Sequence, residues 1–453
     1  MVSALRRIRD ATVGTEWEGC VYLVGGAVRD RLRGVRATGD LDLAVLGDAV
    51  GLAEFLYTKG IATTWPATYG RFGTASVRIG RRTVELAQTR SESYAIDSRK
   101  PSVKAATLEE DALRRDFTVN ALYQNLHTGE IWDSSGVGLA DLKARLLRTP
   151  RDPDITFHDD PLRMMRAVRF AVLLEFEIEE SAAQGIRRNA QRLKVISAER
   201  IREEWTKTLS SPKASRGMRM LLDLGLLAQF APELLPMVGC EQGGYHLYDV
   251  WDHSLAAMDN LSEEAGWRLR LAALLHDAAK PQCRTWDGER YRFFGHEDEG
   301  EGLARRLMRR LTFSNRDINR VAALVRLHMR AGSYKTSWSM GAVRRLMRDA
   351  GSNFAELTTL VEADAKARRP SGKRPDMADL RRRADAALQP VPTALWSSPL
   401  SGKEIMEALG LTSGPEIGRL KHELAEKVIE GEIAPGDKEA ALKALVEIAR
   451  KPA

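Results

Sequence analysis

The chain has 453 residues, 43% of them hydrophobic, with a formal net charge of +7 and a pI near 9.3. That size and apolar content predict several domains with real cores, excluding a disordered chain, and the positive balance favours an acidic partner. Three widely spaced cysteines, Cys20, Cys240 and Cys283, exclude a disulfide framework or a zinc ribbon; with no signal-type start and no apolar run of membrane length, a soluble cytoplasmic protein is expected.

Residues 20–26, CVYLVGG, read as a short buried strand, and AVRDRLRG reads as a helix that begins where the glycines end and is closed by Gly34. Backbone N–H groups at such a turn attract phosphates. Gly25 and Gly26 allow close backbone approach, and Arg29 can pair with a triphosphate oxygen. GDLDLAV at 39–45 then sets Asp40 and Asp42 at i and i+2, on one face of a strand, where both can grip a pair of divalent cations. The reaction class suggested is phosphoryl or nucleotidyl transfer, against the alternative of a strand ending in a solvated Asp-x-Asp turn.

RRDFTVNAL follows at 114–122 and DDPLRMMRAVRFA at 159–171. In the latter, Arg163, Arg166 and Arg169 recur every third residue on a helix that Pro161 can start. GGAVRDRLRG, GDLDLAV, RRDFTVNAL and DDPLRMMRAVRFA, in that order, closely resemble the class II tRNA nucleotidyltransferase and bacterial poly(A) polymerase family over about residues 20 to 210. The resemblance implies an α+β chain: a polymerase-β-like, mixed-sheet nucleotidyltransferase head followed by all-α neck and later domains. It implies template-independent addition of C and/or A to tRNA 3′ ends from CTP and ATP, with Mg²⁺ held by Asp40 and Asp42 and Glu85 in RTVELAQTR as a third carboxylate beside the primer 3′-hydroxyl. By the same resemblance Arg115 and Asp116 contact the ribose, which favours ribonucleotides, and Asn120 supports the phosphates or their loop. Asp160 and Arg163 would hydrogen-bond the base edge, with Arg166 and Arg169 beside them in the nucleotide site; the family usually has Glu where this chain has Asp159.

Between Glu85 and RRDFTVNAL, Asp97, Arg99 and Pro101 resemble the Asp-x-Arg-x-Pro pattern of the family's specificity loop. CCA, CC-only and A-only addition all remain open, as does ATP-only poly(A) synthesis. GVGLADLKARLLRTP resembles the connecting segment, with Asp141 and Arg145 at i,i+4 on a helix, and SAERIREEW, with Glu199 and Arg200, resembles a neck support.

Further on, His253 in VWDHSL, His276–Asp277 in LAALLHDAAKP, His296 in FFGHEDEG, His328 in LVRLHMR and Asp364 in LVEADAKA resemble the HD phosphohydrolase superfamily. An apolar run ending in His-Asp buries two costly polar groups, and imidazole with carboxylate suits a divalent transition metal. The superfamily pattern is complete in His253, His276, Asp277 and Asp364; His296 and His328 match positions that bind a second ion in two-metal members, and Lys280 can assist phosphate binding. A hydrolase of RNA-end phosphoesters is the function that this domain implies.

The expected organisation is a head over 1–150, a helical neck over 151–235, an HD-like helical domain over 236–368 and a linker and helical tail over 369–453. The linker begins in a passage with Pro370, Pro375, Pro390 and Pro392, and the tail has a Gly-Pro before an amphipathic helix. Basic clusters such as RRLMRR, VRRLMR and LRRRAD can track an RNA backbone or form solvated helix faces. A chain acting mainly through its HD site is the competing function; alarmone synthetase–hydrolases place that domain first, and the order here argues against them.

Overall fold

Apolar alternation builds the first sheet, in a computed structural model that describes residues 2–35, 39–69, 73–93, 102–243, 247–368, 374–387 and 396–449. Its strands are β1 (Val21–Val24), β2 (Leu41–Val45), β3 (Ala67–Tyr69), β4 (Thr74–Ile79) and β5 (Arg82–Gln88); β6 (Arg90–Ser93) and β7 (Ser102–Ala105) form a separate hairpin before β8 (Leu122–Asn125) and β9 (Ile131–Asp133) complete the sheet. The order is β3-β4-β5-β2-β1-β8-β9, with only the β2–β5 pair parallel. In β2, Leu41 and Leu43 point to a core shared with the helices Val2–Thr12 and Ala49–Thr58, while Ala44 joins Val24, Tyr123, Leu108 and Ala112 in a smaller cluster. Side chains at i and i+2 share a face, so Asp42 shares the face of Ala44.

One local expectation is corrected. Asp141 and Arg145 do not share a helix: Gly138–Ala144 ends with Arg145 in the left-handed region at φ 56°. The chain must turn there to enter β10 (Leu146–Leu147), which pairs with β11 (Glu177–Ile178), and Asp141 instead meets Arg148 at 3.2 Å and accepts from Thr118 Oγ1 at 2.7 Å. RRDFTVNAL is not a helix: the helix Leu108–Leu113 stops before it and a short turn at Thr118–Asn120 delivers the chain to β8. Asp97, Arg99, Pro101, Pro370, Pro390 and Pro392 lie outside the described residues.

The chain divides into two compact units, residues 1–208 with 216–232 and residues 209–215 with 233–453. In the second, the helix Trp267–Leu275 carries Arg268 and Arg270 in its first turn and then a fully buried apolar run, Leu271–Leu275, as befits a central element. The helices Val250–Asp259, Asn315–Gly332 and Phe354–Lys366 pack against it, and His296–Arg310 packs on Asn315–Gly332. A small hairpin, β12 (Thr285–Trp286) and β13 (Tyr291–Arg292), precedes His296. The tail helices Gly402–Leu409, Pro415–Glu430 and Lys438–Ala449 enclose their own apolar cluster. Within VRRLMR, Arg345 and Arg348 pair with Glu426 of the tail at 3.2 and 2.8 Å, so this basic cluster serves packing. Among the described residues, no helix is long and apolar enough to cross a membrane.

Candidate functional site

The parallel register of β2 and β5 sets Asp42 opposite Glu85, with Asp40 two residues before it. Asp42 and Glu85 are exposed between buried neighbours, Leu41 and Leu43 on one strand and Val84 and Leu86 on the other. The end of β1 closes over them. Gly25 has φ +73°, a conformation that favours glycine, and a Cβ there would stand 3.6 Å from Asp42 Oδ2. Although Asp42 is open to solvent on the sheet face, the surrounding protein raises its pKa; Glu85 and Asp40 raise it further, and Arg115 opposes them. Crowded carboxylate oxygens of this kind fit a hard divalent cation, which relieves their repulsion.

A second set of residues flanks this face. Asp111, 1% exposed, accepts from Arg114 Nε and Nη2 at 2.8 and 2.6 Å, from Arg115 Nη2 at 2.9 Å and from Tyr123 Oη at 2.5 Å. Burial alone would raise its pKa, but Arg115 and Arg114 overcome that and hold it at about 2. Asp116 likewise is held at about 2 against burial by Arg166, whose Nε donates at 2.8 Å, and by Asn120, whose Nδ2 donates at 3.0 Å. Asn120 in turn accepts from Arg29 Nη1 at 2.8 Å, and Arg29 also pairs with Asp30 at 2.9 Å. Arg169 reaches the buried Glu204 at 3.1 Å, and Arg29, Arg166 and Arg169 all lie 4.4–5.3 Å from the Phe170 ring centre.

A cavity of about 250 Å³ is lined by Arg114, Arg115, Asp116, Asp160, Leu162, Arg163, Arg166 and Arg200. Arg163 is anchored by donating to the carbonyls of Arg114 and Thr156 at 2.6 and 3.3 Å. Asp160 accepts from Leu162 N and from Arg200 Nη2, both at 3.2 Å, whereas Asp159 is engaged by Arg151 and is not among the lining residues. Gly25, Gly26, Arg29, Asn120 and Arg169 also lie outside that lining; Asn120 donates to Asp116, Arg29 donates to Asn120, and Arg169 shares Glu204 with Arg166. Sequence reasoning missed Asp111, Arg114, Tyr123 and Glu204 and gave Arg200 only a support role. The i+3 and i+4 spacing of Arg114 and Arg115 from Asp111 was the available signal.

In the second unit His253, His276, Asp277, His296, His328 and Asp364 converge, none more than 4% exposed. Their donor atoms form two triads that share Asp277: His253, His276 and Asp277, and Asp277, His296 and His328, each within 4.8 Å. His276, His296 and His328 donate from Nδ1 to the carbonyls of Ala273, Phe293 and Val325 at 2.8, 2.7 and 2.5 Å, an assignment that leaves each Nε2 as an acceptor. Among the described residues those three buried Nε2 atoms have no hydrogen-bond partner; they lie 3.2–3.7 Å from Asp277 oxygens. Oriented imidazole lone pairs facing a shared carboxylate fit divalent transition-metal ions. His253 Nε2 lies 2.9 Å from Asp364, and Lys280 Nζ bridges Asp277 and Gln242 at 2.6 Å each. Burial lowers the pKa of His276, but Asp277 and Asp364 push it up to about 10, so with no cation bound its Nε2 carries a proton at neutral pH, and a divalent cation would have to displace that proton to use the lone pair.

Against known proteins, residues 21–148 match the "Poly A polymerase head domain", 175–237 the "Probable RNA and SrmB-binding site of polymerase A", and 243–369 the "HD domain". These define a nucleotidyltransferase head joined to an RNA-binding segment and an HD domain. A CC-adding tRNA nucleotidyltransferase of Thermus thermophilus is 36% identical over 93% of this chain and 92% of its own. An A-adding tRNA nucleotidyltransferase of Deinococcus radiodurans is 36% identical over 91% and 92%. The Bacillus stearothermophilus CCA-adding enzyme, solved in complex with CTP, superposes with a TM-score of 0.70 at 25% identity over 99% of this chain and 97% of that one. The chain belongs to the tRNA nucleotidyltransferase family.

Proposed function

We propose that the chain extends tRNA 3′ ends with C, A or both, from CTP and ATP, in the cytoplasm, with residues 1–150 as the catalytic head, 151–235 as the neck, 236–368 as the HD-like domain and 369–453 as linker and tail. The observation that carries this reading is the register that sets Glu85 beside Asp42 beneath the Gly25 turn. Asp40 and Asp42 would hold Mg²⁺, which when bound supplies charge neutralisation for the triphosphate and a more acidic 3′-hydroxyl. The 3′-oxygen attacks the α-phosphorus, the bond to the β-phosphate oxygen breaks, and pyrophosphate leaves. Glu85 stands beside the incoming hydroxyl and accepts its proton. The Gly25–Gly26 turn takes the phosphates, Arg115 and Asp116 the ribose, and Asp160 with Arg163 the base edge; Arg29, Asn120, Arg166 and Arg169 hold these groups in place. Extension of tRNAs ending before CCA, after C and after CC, with CTP and ATP given singly and together, distinguishes CC, A and complete CCA addition. Long A tracts on unrelated RNA would instead establish a poly(A) polymerase.

The convergence on Asp277 of three imidazole nitrogens that have no hydrogen-bond partner among the described residues favours a second activity, hydrolysis of a phosphoester on an RNA end. His253, His276, Asp277, His296, His328 and Asp364 would hold one or two transition-metal ions, which when bound supply Lewis acidity and a more acidic water. The water oxygen bonds to phosphorus, the phosphorus–ribose oxygen bond breaks, and a water proton passes to the departing ribose oxygen, which leaves as the hydroxyl. Asp277 fixes the histidines, and Lys280 is poised to shift from Asp277 to the phosphate. Orthophosphate release from an RNA 3′-phosphate with added Mn²⁺, Co²⁺ or Ni²⁺, lost in Asp277→Asn, is the test; no release with any of them rejects the reading.

A further inference from the structure

Between the His276–Asp277 doublet and His296, the β12–β13 hairpin concentrates aromatic and basic side chains. Trp286 and Tyr291 pair across it and meet edge to face at 5.0 Å, and the Arg284 guanidinium stands 4.2 Å over the Tyr291 ring. Asp287 closes the turn by accepting from Glu289 N, Arg290 N and Arg292 Nε at 3.0, 2.8 and 2.5 Å. Two large rings remain in water: Phe294 is 81% exposed and Trp286 59%. That exposure forgoes burial and contributes nothing to the fold.

The hairpin is tied directly to the His/Asp cluster. The Phe293 carbonyl accepts from His296 Nδ1 at 2.7 Å, and the Phe293 ring lies 5.5 Å from Lys280 Nζ, itself 2.6 Å from Asp277. Phe294 is the next residue, two before His296. Exposed rings with an adjacent guanidinium make a surface on which an unpaired base can stack, whatever its identity, because every base has a π-face. We propose that Phe294 and Trp286 form a stacking platform for a base of a single-stranded RNA end whose phosphoester enters the His/Asp cluster, with Arg284 drawing in the backbone. Glu297, Asp298 and Glu299 follow His296, so the anionic backbone is expected over Arg284 and not over that helical turn. This assignment of substrate rests on the hydrolase reading above.

Two readouts on the full chain with added Mn²⁺ test it. In the first, a short oligoribonucleotide with a 3′-phosphate and a photoreactive 4-thiouridine near that end is irradiated and the attachment sites are mapped by peptide mass. Attachment is expected at Trp286, Tyr291 or Phe294, falling about tenfold in Phe294→Ala and returning in Phe294→Trp. In the second, the KM for phosphate release from the oligonucleotide, relative to that for glycerol 2-phosphate, which has no base, is expected to rise about tenfold in Phe294→Ala. Phosphate release with an unchanged KM ratio and no attachment at the hairpin overturns the platform and leaves the hydrolase standing. Attachment at the hairpin with no release from either ester supports the platform and rejects the hydrolase. A hairpin that instead docks a protein would move neither readout, which also overturns the proposal.

Discussion

Replacing Asp111 by Asn keeps the side-chain shape and removes one charge from the centre of the Arg114, Arg115 and Tyr123 contacts. The folded carboxyl is held at about 2 against an ordinary 3.8, a difference worth about 2 kcal/mol at neutral pH. Its 1% exposure allows no solvent discount on that figure. Removing one partner of a fully buried ion pair costs about 3–5 kcal/mol, but Arg114 and Arg115 are each 19% exposed and water compensates in part, so the smaller figure is the better guide. Because the folded pKa is depressed, the stabilisation is complete above the unfolded carboxyl's pKa and is lost as pH falls from about 4 toward 2. Native-state hydrogen exchange isolates this region from the second unit. The β8 amides of Asp111→Asn should open about 2 kcal/mol more easily at neutral pH, and the KM for CTP or ATP should rise as Arg115 loses its brace. A loss below about 0.5 kcal/mol, with an unchanged acid dependence, would refute the assignment of Asp111 as the anchor.

Asp40→Ala and Asp42→Ala should each lower nucleotide addition by more than about 10²-fold while leaving phosphate release at the HD centre intact, measured on the same preparations. Arg200→Ala releases Asp160 from a pair that is 48% exposed on the arginine side, so stability should change by less than about 1 kcal/mol while nucleotide KM rises about two- to fivefold in steady-state assays. Chelation should lower the thermal stability of the second unit, and Mn²⁺ at about 100 times its Kd should restore about 2.7 kcal/mol, a recovery absent in His276→Ala and readable by calorimetry.

Asp42 and the glycine turn were legible because strand alternation is a local rule that acts over two residues, whereas Asp40 lies one residue before β2, where that rule does not reach. The position of Glu85 was legible through resemblance, since nothing in RTVELAQTR alone says which strand it will lie beside. Asp111 was missed for the opposite reason. In LEEDAL it reads as one of several solvated acids in a helix's first turn, and only the packing of that helix against Tyr123 of β8, twelve residues further on, brings the two together. Glu204 is 35 residues from Arg169 and becomes its partner only through packing between helices. Arg145 followed the i,i+4 rule on paper and broke it in the fold because the β10–β11 pairing imposed a left-handed turn. The arginines of DDPLRMMRAVRF were legible as a row on one helix, but not their partners. Arg166 and Arg169 meet carboxylates 50 and 35 residues away, and Arg163 meets the carbonyl of Arg114 49 residues away.

The most direct test is the mass of the product formed from a tRNA lacking its CCA end when the wild-type chain and Glu85→Gln are given Mg²⁺, CTP and ATP together. Expected is an increase of C, A or both that stops at a defined end in the wild type and falls sharply in the variant. An unbounded A tract, no added mass, or full addition by Glu85→Gln would contradict a tRNA-end nucleotidyltransferase working through the Asp40, Asp42 and Glu85 face.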